Sequence, residues 1–185
     1  YLSCKGNRLR AIPNCPKLVW LSAAENKITS ITSKSLTFID LSHNPFQLSY
    51  LPKCSSLFLE RTNITTIDLA LVPAIRILDL SNNKLTLLQD HIKLEELHIK
   101  NNRLTKLGMY PNLLHLDASG NRISSMQTYP KIDTMNVCHN KLTEIAQASL
   151  TSLIASFNQL KQIDTPNLTY LDVSNNQINK IIIPR

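Results

Sequence analysis

The sequence predicts a solenoid: stacked coils that each lend one short strand to a curved parallel β-sheet on a concave face and return across the convex side in an extended or 3₁₀ segment. Three observations predict it. The pattern Leu94-x-x-Leu97-x-Ile99-x-x-Asn102-x-Leu104 recurs as Leu113-x-x-Leu116-x-Ala118-x-x-Asn121-x-Ile123 and as Ile132-x-x-Met135-x-Val137-x-x-Asn140-x-Leu142, 19 residues apart. Its Asn position falls at Asn7, Asn26, Asn44, Thr62, Asn83, Asn102, Asn121, Asn140, Asn158 and Asn176, spaced 18 to 21 residues apart. Pro16, Pro73, Pro111, Pro130 and Pro166 each stand two residues before the first apolar position of a unit.

Each position of the unit has a physical task. The apolar-x-apolar pair has the period-2 alternation of a strand, so both apolar residues face a shared core and the residues around them face out. The Asn leaves the strand at a turn, where its amide satisfies backbone groups of adjacent coils that would otherwise be buried unpaired. Thr62 brings a single hydroxyl to that task, and its unit is expected to be the loosest rung. Strand and turn use about eleven residues, and the roughly eight that remain are too few for a regular helix with its connections. The prolines agree, because a fixed φ and a missing N–H suit a non-helical return leg. Ten strands about 4.8 Å apart span roughly 45 Å.

Ten phased units cover nearly all 185 residues, so residues 1–185 read as one domain without a linker. The formal charge of +7 names no partner until its placement on the fold is known. No run of eighteen apolar residues and no apolar leader is visible, so no membrane insertion is expected. Cys4, Cys15, Cys54 and Cys138 are not clustered, and Cys4 and Cys54 occupy apolar template positions. They read as reduced thiols in a cytoplasmic environment, although the sequons at Asn63 and Asn167 point the other way.

These units identify the chain as a leucine-rich-repeat solenoid. With repeats this short, Pro before the strand, and lines such as Pro166-Asn-Leu-Thr-Tyr-Leu-Asp-Val-Ser-Asn-Asn-Gln-Ile178, it resembles the short-repeat effectors that Gram-negative pathogens inject into host cells. Its Lys, Asn and Ile richness is similar to the effectors of Legionella. The resemblance implies a protein-binding module acting in the host cytoplasm after secretion, one that inhibits or regulates an enzyme by covering its active site. The unit is less regular than the best-known effector consensus, and the ubiquitin-ligase domain of some relatives is absent from the sequence. An intracellular eukaryotic-type scaffold and an extracellular receptor fragment are the alternatives.

The outward positions form columns. The first holds Tyr1, Trp20, Phe38, Ser56, Ile77, Glu96, His115, Thr134, Ser152 and Tyr170. The second holds Asp40, Phe58, Asp79, His98 and Asp117 among others. Tyr1, Trp20, Phe38 and Phe58 are therefore expected on adjacent rungs of the concave face, in water, as anchors for a partner. A register shifted by one residue would bury them instead, but it would break a phase shared by the other units. Just after the Asn, Lys84, Arg103, Arg122 and Lys141 put a cation on four consecutive rungs, either as a solvated rim or as an edge that steers a partner with Asp79, His98, His115 and Asp117 beside it.

An enzyme is not expected. Cys138, His115, His139 and Asp117 could be imagined as a nucleophilic group, but a flat sheet offers neither a deep pocket nor oxyanion donors. His98 and His115 are two ligands, too few for a structural zinc site. No cofactor is expected. Nucleic acid is disfavoured by the Asp residues on the same face. The expected partner is a folded protein, and the chain alone is expected to be monomeric.

Overall fold

The computed structural model describes residues 1–48, 51 and 53–182. The last three residues of the expected domain, 183–185, lie outside them. In chain order the strands are β1 (Leu2–Ser3), β2 (Trp20–Ser22), β3 (Phe38–Asp40), β4 (Ser56–Phe58), β5 (Ile77–Asp79), β6 (Glu96–His98), β7 (His115–Asp117), β8 (Thr134–Asn136), β9 (Ser152–Ile154), β10 (Gln162–Asp164), β11 (Tyr170–Asp172) and β12 (Lys180–Ile182). Ten of them form one sheet in the order β1 to β9 and then β11, every pairing parallel and every neighbour the next repeat. Template positions pair with themselves: Leu21 with Ile39, Ile39 with Leu57, Leu97 with Leu116. The middle residue of each strand from β2 to β9 is buried and its neighbours are not, which excludes the shifted register.

The core is a ribbon behind this sheet. Leu21, Ile39, Leu57, Leu78 and Leu97 are fully buried in one row, and Leu41, Leu59, Leu80 and Ile99 in the next. The return legs add a back layer, where Tyr110 and Tyr129 stack with ring centroids 6.0 Å apart and His91 is buried in the preceding coil. This layer was not foreseen, because the return leg has no apolar period to read. Cys54 is fully buried in the core, and burial pushes its thiol up to about 11. Cys4 is half-buried against the core, and burial raises its thiol too.

The Asn residues form the expected ladder. Asn102 Nδ2 donates to Leu80 O on the preceding coil at 2.9 Å and to Ile99 O on its own at 3.0 Å, while its Oδ1 accepts the Leu85 N–H at 2.9 Å. Thr62 keeps only part of this: its hydroxyl donates to Leu59 O at 2.8 Å, and Asn83 Oδ1 on the following coil accepts its N–H at 3.1 Å. The residue before the Asn is left-handed in every unit: Gly6, Glu25, His43, Arg61, Asn82, Asn101, Gly120, His139, Phe157 and Asn175 all have φ between 52° and 72°. After the Asn a second ladder runs beside the sheet, with Lys84 N–H to Ile64 O, Arg103 N–H to Leu85 O, Arg122 N–H to Leu104 O and Lys141 N–H to Ile123 O, each 2.8 or 2.9 Å.

Among the described residues the convex side is extended apart from one 3₁₀ turn, Leu69–Leu71. It falls in the 21-residue interval between Thr62 and Asn83, so the longest unit stores its extra residues there. Asp68 caps the turn by accepting the Ala70 N–H at 3.0 Å. One feature goes beyond an unpaired return leg: β10 and β12 pair in parallel on their own, with Gln162 opposite Lys180.

Candidate partner-binding face

Parallel pairing in register places like positions one strand spacing apart, which is also the spacing at which flat rings stack. Tyr1 and Trp20 stack with centroids 4.1 Å apart and planes within 10°, and Trp20 and Phe38 follow at 4.8 Å and 9°. Phe58 sits in the neighbouring column, opposite Asp40, so it meets Phe38 diagonally at 5.2 Å and 38°. The four rings on four consecutive rungs form one rib. Tyr1 is 79% exposed, but Trp20, Phe38 and Phe58 are half-buried, because each covers its neighbour's face. The expectation of rings standing in water is corrected to that extent. For Trp20, stacked on both faces by Tyr1 and Phe38, what remains presented to solvent is mainly the ring edge.

The carboxylates of the second column have a local task that the columns alone did not reveal. Asp40, Asp79 and Asp117 accept the N–H two residues on, at Ser42, Ser81 and Ser119, at 3.1, 2.8 and 3.0 Å. This closes the turn that leads each strand to its Asn. Asp172 repeats the arrangement with Ser174, and that backbone bond, aided by the Ser174 hydroxyl, holds its carboxyl below the ordinary range. The signal was an Asp-x-Ser spacing recurring in four units.

The histidines are engaged separately. His98 Nε2 lies 2.8 Å from Glu96 Oε1, and His115 Nδ1 lies 2.8 Å from Thr134 Oγ1. Both border a shallow depression of about 230 Å³ with Asp117, Asn136 and Ile154. β8 ends at Asn136, and Cys138 lies half-buried in the segment beyond it rather than on the strand. Burial, and next the Asp117 charge, raise its thiol above the ordinary value, the reverse of what activates a nucleophile. His139 is turned away to stack on Phe157 at 4.3 Å. Asp117 stands near the thiol, but among the described residues no hydrogen bond links Cys138 to His115 or His139, so the imagined grouping lacks a thiol–base contact.

Lys84, Arg103, Arg122 and Lys141 are all exposed and take part in no ion pair among the described residues. They stand on the second ladder, separated from the sheet columns by the Asn turn. Phe157, 48% exposed in a left-handed turn, was missed, although its place just before Asn158 is a non-core position of the unit. Tyr170, 54% exposed, extends the first column at the far end of the sheet.

Comparison with known proteins places this geometry. The Leucine Rich Repeat family profile matches residues 74–92 and 167–185. A leucine-rich repeat protein of Acanthamoeba polyphaga mimivirus is 32% identical over 103 residues, 53% of this chain and 24% of that protein. YopM from Yersinia enterocolitica superposes with a TM-score of 0.88 at 37% identity, covering 97% of this chain and 43% of YopM. The leucine-rich effector YopM of Yersinia pestis follows with 0.82 and 29%, covering 97% and 55%, and InlJ of Listeria monocytogenes with 0.79 and 26%, covering 97% and 45%. The chain thus spans about a quarter of the curated relative and about half of these solved structures. The chain folds as a leucine-rich-repeat solenoid, similar in its course to that of the bacterial effector YopM.

Proposed function

We propose that this chain, acting as one domain, holds a folded partner protein across its concave face. The observation that carries the reading is the rib of Tyr1, Trp20, Phe38 and Phe58, four aromatic rings ordered before any partner arrives. Rings packed on one another lose little side-chain freedom on binding, so more of their contact energy survives as affinity. Their edges suit aliphatic groups and carbonyl oxygens, which meet the positive rim of the ring quadrupole. Faces covered by neighbours are poor platforms for stacked bases, which favours a protein over a nucleic acid. Likeness to YopM adds that the partner belongs to a host cell and that the chain reaches it as a secreted effector. Where the partner is an enzyme, covering the mouth of its active site makes the chain an inhibitor with no catalysis of its own.

The test is quantitative capture from host-cell extract, comparing the intact protein with Trp20→Ala, Phe38→Ala and a convex-side control, Ile92→Ala. A specific partner should lose about thirtyfold in affinity with Trp20→Ala and be unaffected by the control. Equal retention by all variants, or a complex seated on the convex side, refutes the reading. Any hydrolase or transferase activity abolished by Cys138→Ala refutes the absence of catalysis.

A further inference from the structure

Four consecutive units carry one tripeptide pattern after the Asn: Lys84-Leu85-Thr86, Arg103-Leu104-Thr105, Arg122-Ile123-Ser124 and Lys141-Leu142-Thr143. The middle residue is fully buried in each case, and the cation and the hydroxyl on either side are exposed. The backbone bonds of the second ladder hold these tripeptides in parallel register. The result is a narrow lateral strip with a row of cations and, beside it, a row of hydroxyls. Neither row is committed within the protein. The cations join no ion pair, and the four hydroxyls make no hydrogen bond among the described residues. Within the segments 84–87, 103–106, 122–125 and 141–144 the single carboxylate is Glu144, offset by Lys106. The strip has ends, because the rung before it presents Asn63 and the rung after it Gln159.

We infer that this strip is a docking site for one acidic α-helical segment of a protein, laid along the solenoid axis. Two geometric facts select that occupant among polyanions. The cations recur at the strand spacing of about 4.8 Å. A row of Asp or Glu at i, i+4, i+7 and i+11 on a helix recurs at about 5.4 Å per turn, a mismatch that flexible Lys and Arg side chains absorb over three intervals. An extended acidic peptide offers same-side groups only about every 6.8 Å and falls out of step by a whole rung within the strip. Length is the second fact. Four rungs cover about 14 Å, close to ten residues of helix. Nucleic acids and anionic membranes are long or broad surfaces that gain nothing from a strip bounded by neutral rungs. The hydroxyl row gives each carboxylate a second donor, and the two guanidinium groups can bind in bidentate fashion.

This inference extends the reading of a protein-binding module by naming the segment held at its basic edge, and its failure leaves the aromatic rib as a separate question. The test uses a fluorescent, Ala-based helical peptide of about fifteen residues with its Glu residues in one row. Three competitors are compared with it: the same composition with Glu scattered around the helix, a Pro-interrupted extended version, and single-stranded polyuridine. Anisotropy at physiological salt should show the row peptide binding at least about tenfold more tightly than the scattered or extended versions. Arg103→Ala and Arg122→Ala should each weaken it about two- to fivefold without changing the melting temperature, and Trp20→Ala should leave it unaltered. Arg103→Glu should recover binding to a peptide with one Glu replaced by Lys. Equal binding of row and scattered peptides, tighter binding of polyuridine, or indifference to both arginine substitutions overturns the inference.

Discussion

Replacing Asn121 with Ala tests the ladder at its most regular point. Asn121 Nδ2 donates to Ile99 O at 2.9 Å, Ala118 O at 3.1 Å and Ser119 O at 3.3 Å, and Oδ1 accepts the Leu104 N–H at 3.1 Å. Removing the amide does not orphan all of these groups. Ile99 O still receives Asn102 Nδ2, Ala118 O still receives Asn140 Nδ2, and Ser119 O still receives the Asn101 N–H. The group left without this partner is the Leu104 N–H, on a fully buried residue. A buried unsatisfied donor costs about 1–3 kcal/mol, and the carbonyls keep their remaining donors, so about 2 kcal/mol is expected. For a chain of this size that corresponds to a fall of roughly 4–8 °C in Tm. Thermal melts by circular dichroism measure the fall, and hydrogen exchange should show the Leu104 amide losing protection more than the Leu85 amide, which Asn102 still holds. Asn121→Asp should be worse than Ala, because it keeps the acceptor but turns a carboxylate toward three carbonyl oxygens. An unchanged Tm, or Asp better tolerated than Ala, refutes the ladder energetics.

Three further outcomes are expected. Thr62→Asn should be neutral or raise Tm, since an amide restores the bond to the preceding coil that the hydroxyl does not make; a clear fall shows that the rung is built around threonine. His91 is held neutral mainly by burial, with Lys93 adding to the effect against a hydrogen bond to the Val72 backbone, so its folded pKa lies below the ordinary 6.5. The unfolded chain then takes up the proton first, and stability fully present above about pH 6.5 is lost as pH falls toward the folded value; His91→Gln should flatten that part of a stability–pH profile, and an unaltered slope refutes the assignment. Gly120→Ala should cost about 1–2 kcal/mol by denaturant titration, because φ is +66° and the new Cβ would run into Asn101 Oδ1; a neutral result shows that the Asn101 side chain moves aside freely.

The sequence by itself determined the register, the coil count and, among the described residues, the absence of regular helix, because each depends on spacing alone. Leu97, Leu116 and Met135 had to pair once every unit placed the same apolar position at the same distance from its Asn, and about eight leftover residues had no room for a helix. Contacts between coils were decided only by the tertiary structure. Trp20 and Phe38 are 18 residues apart, and nothing local says that their rings meet face to face; the strand spacing says so. Asp79 and Asp117 looked like surface charges until the turn curled each Ser N–H back onto them. Tyr110, Tyr129 and His91 form a back layer that no period announced, since an extended return leg buries whichever residue its path turns inward. Whether Lys84, Arg103, Arg122 and Lys141 were paired or free depended on where every carboxylate came to rest, which is a property of the stacked coils and not of any one repeat.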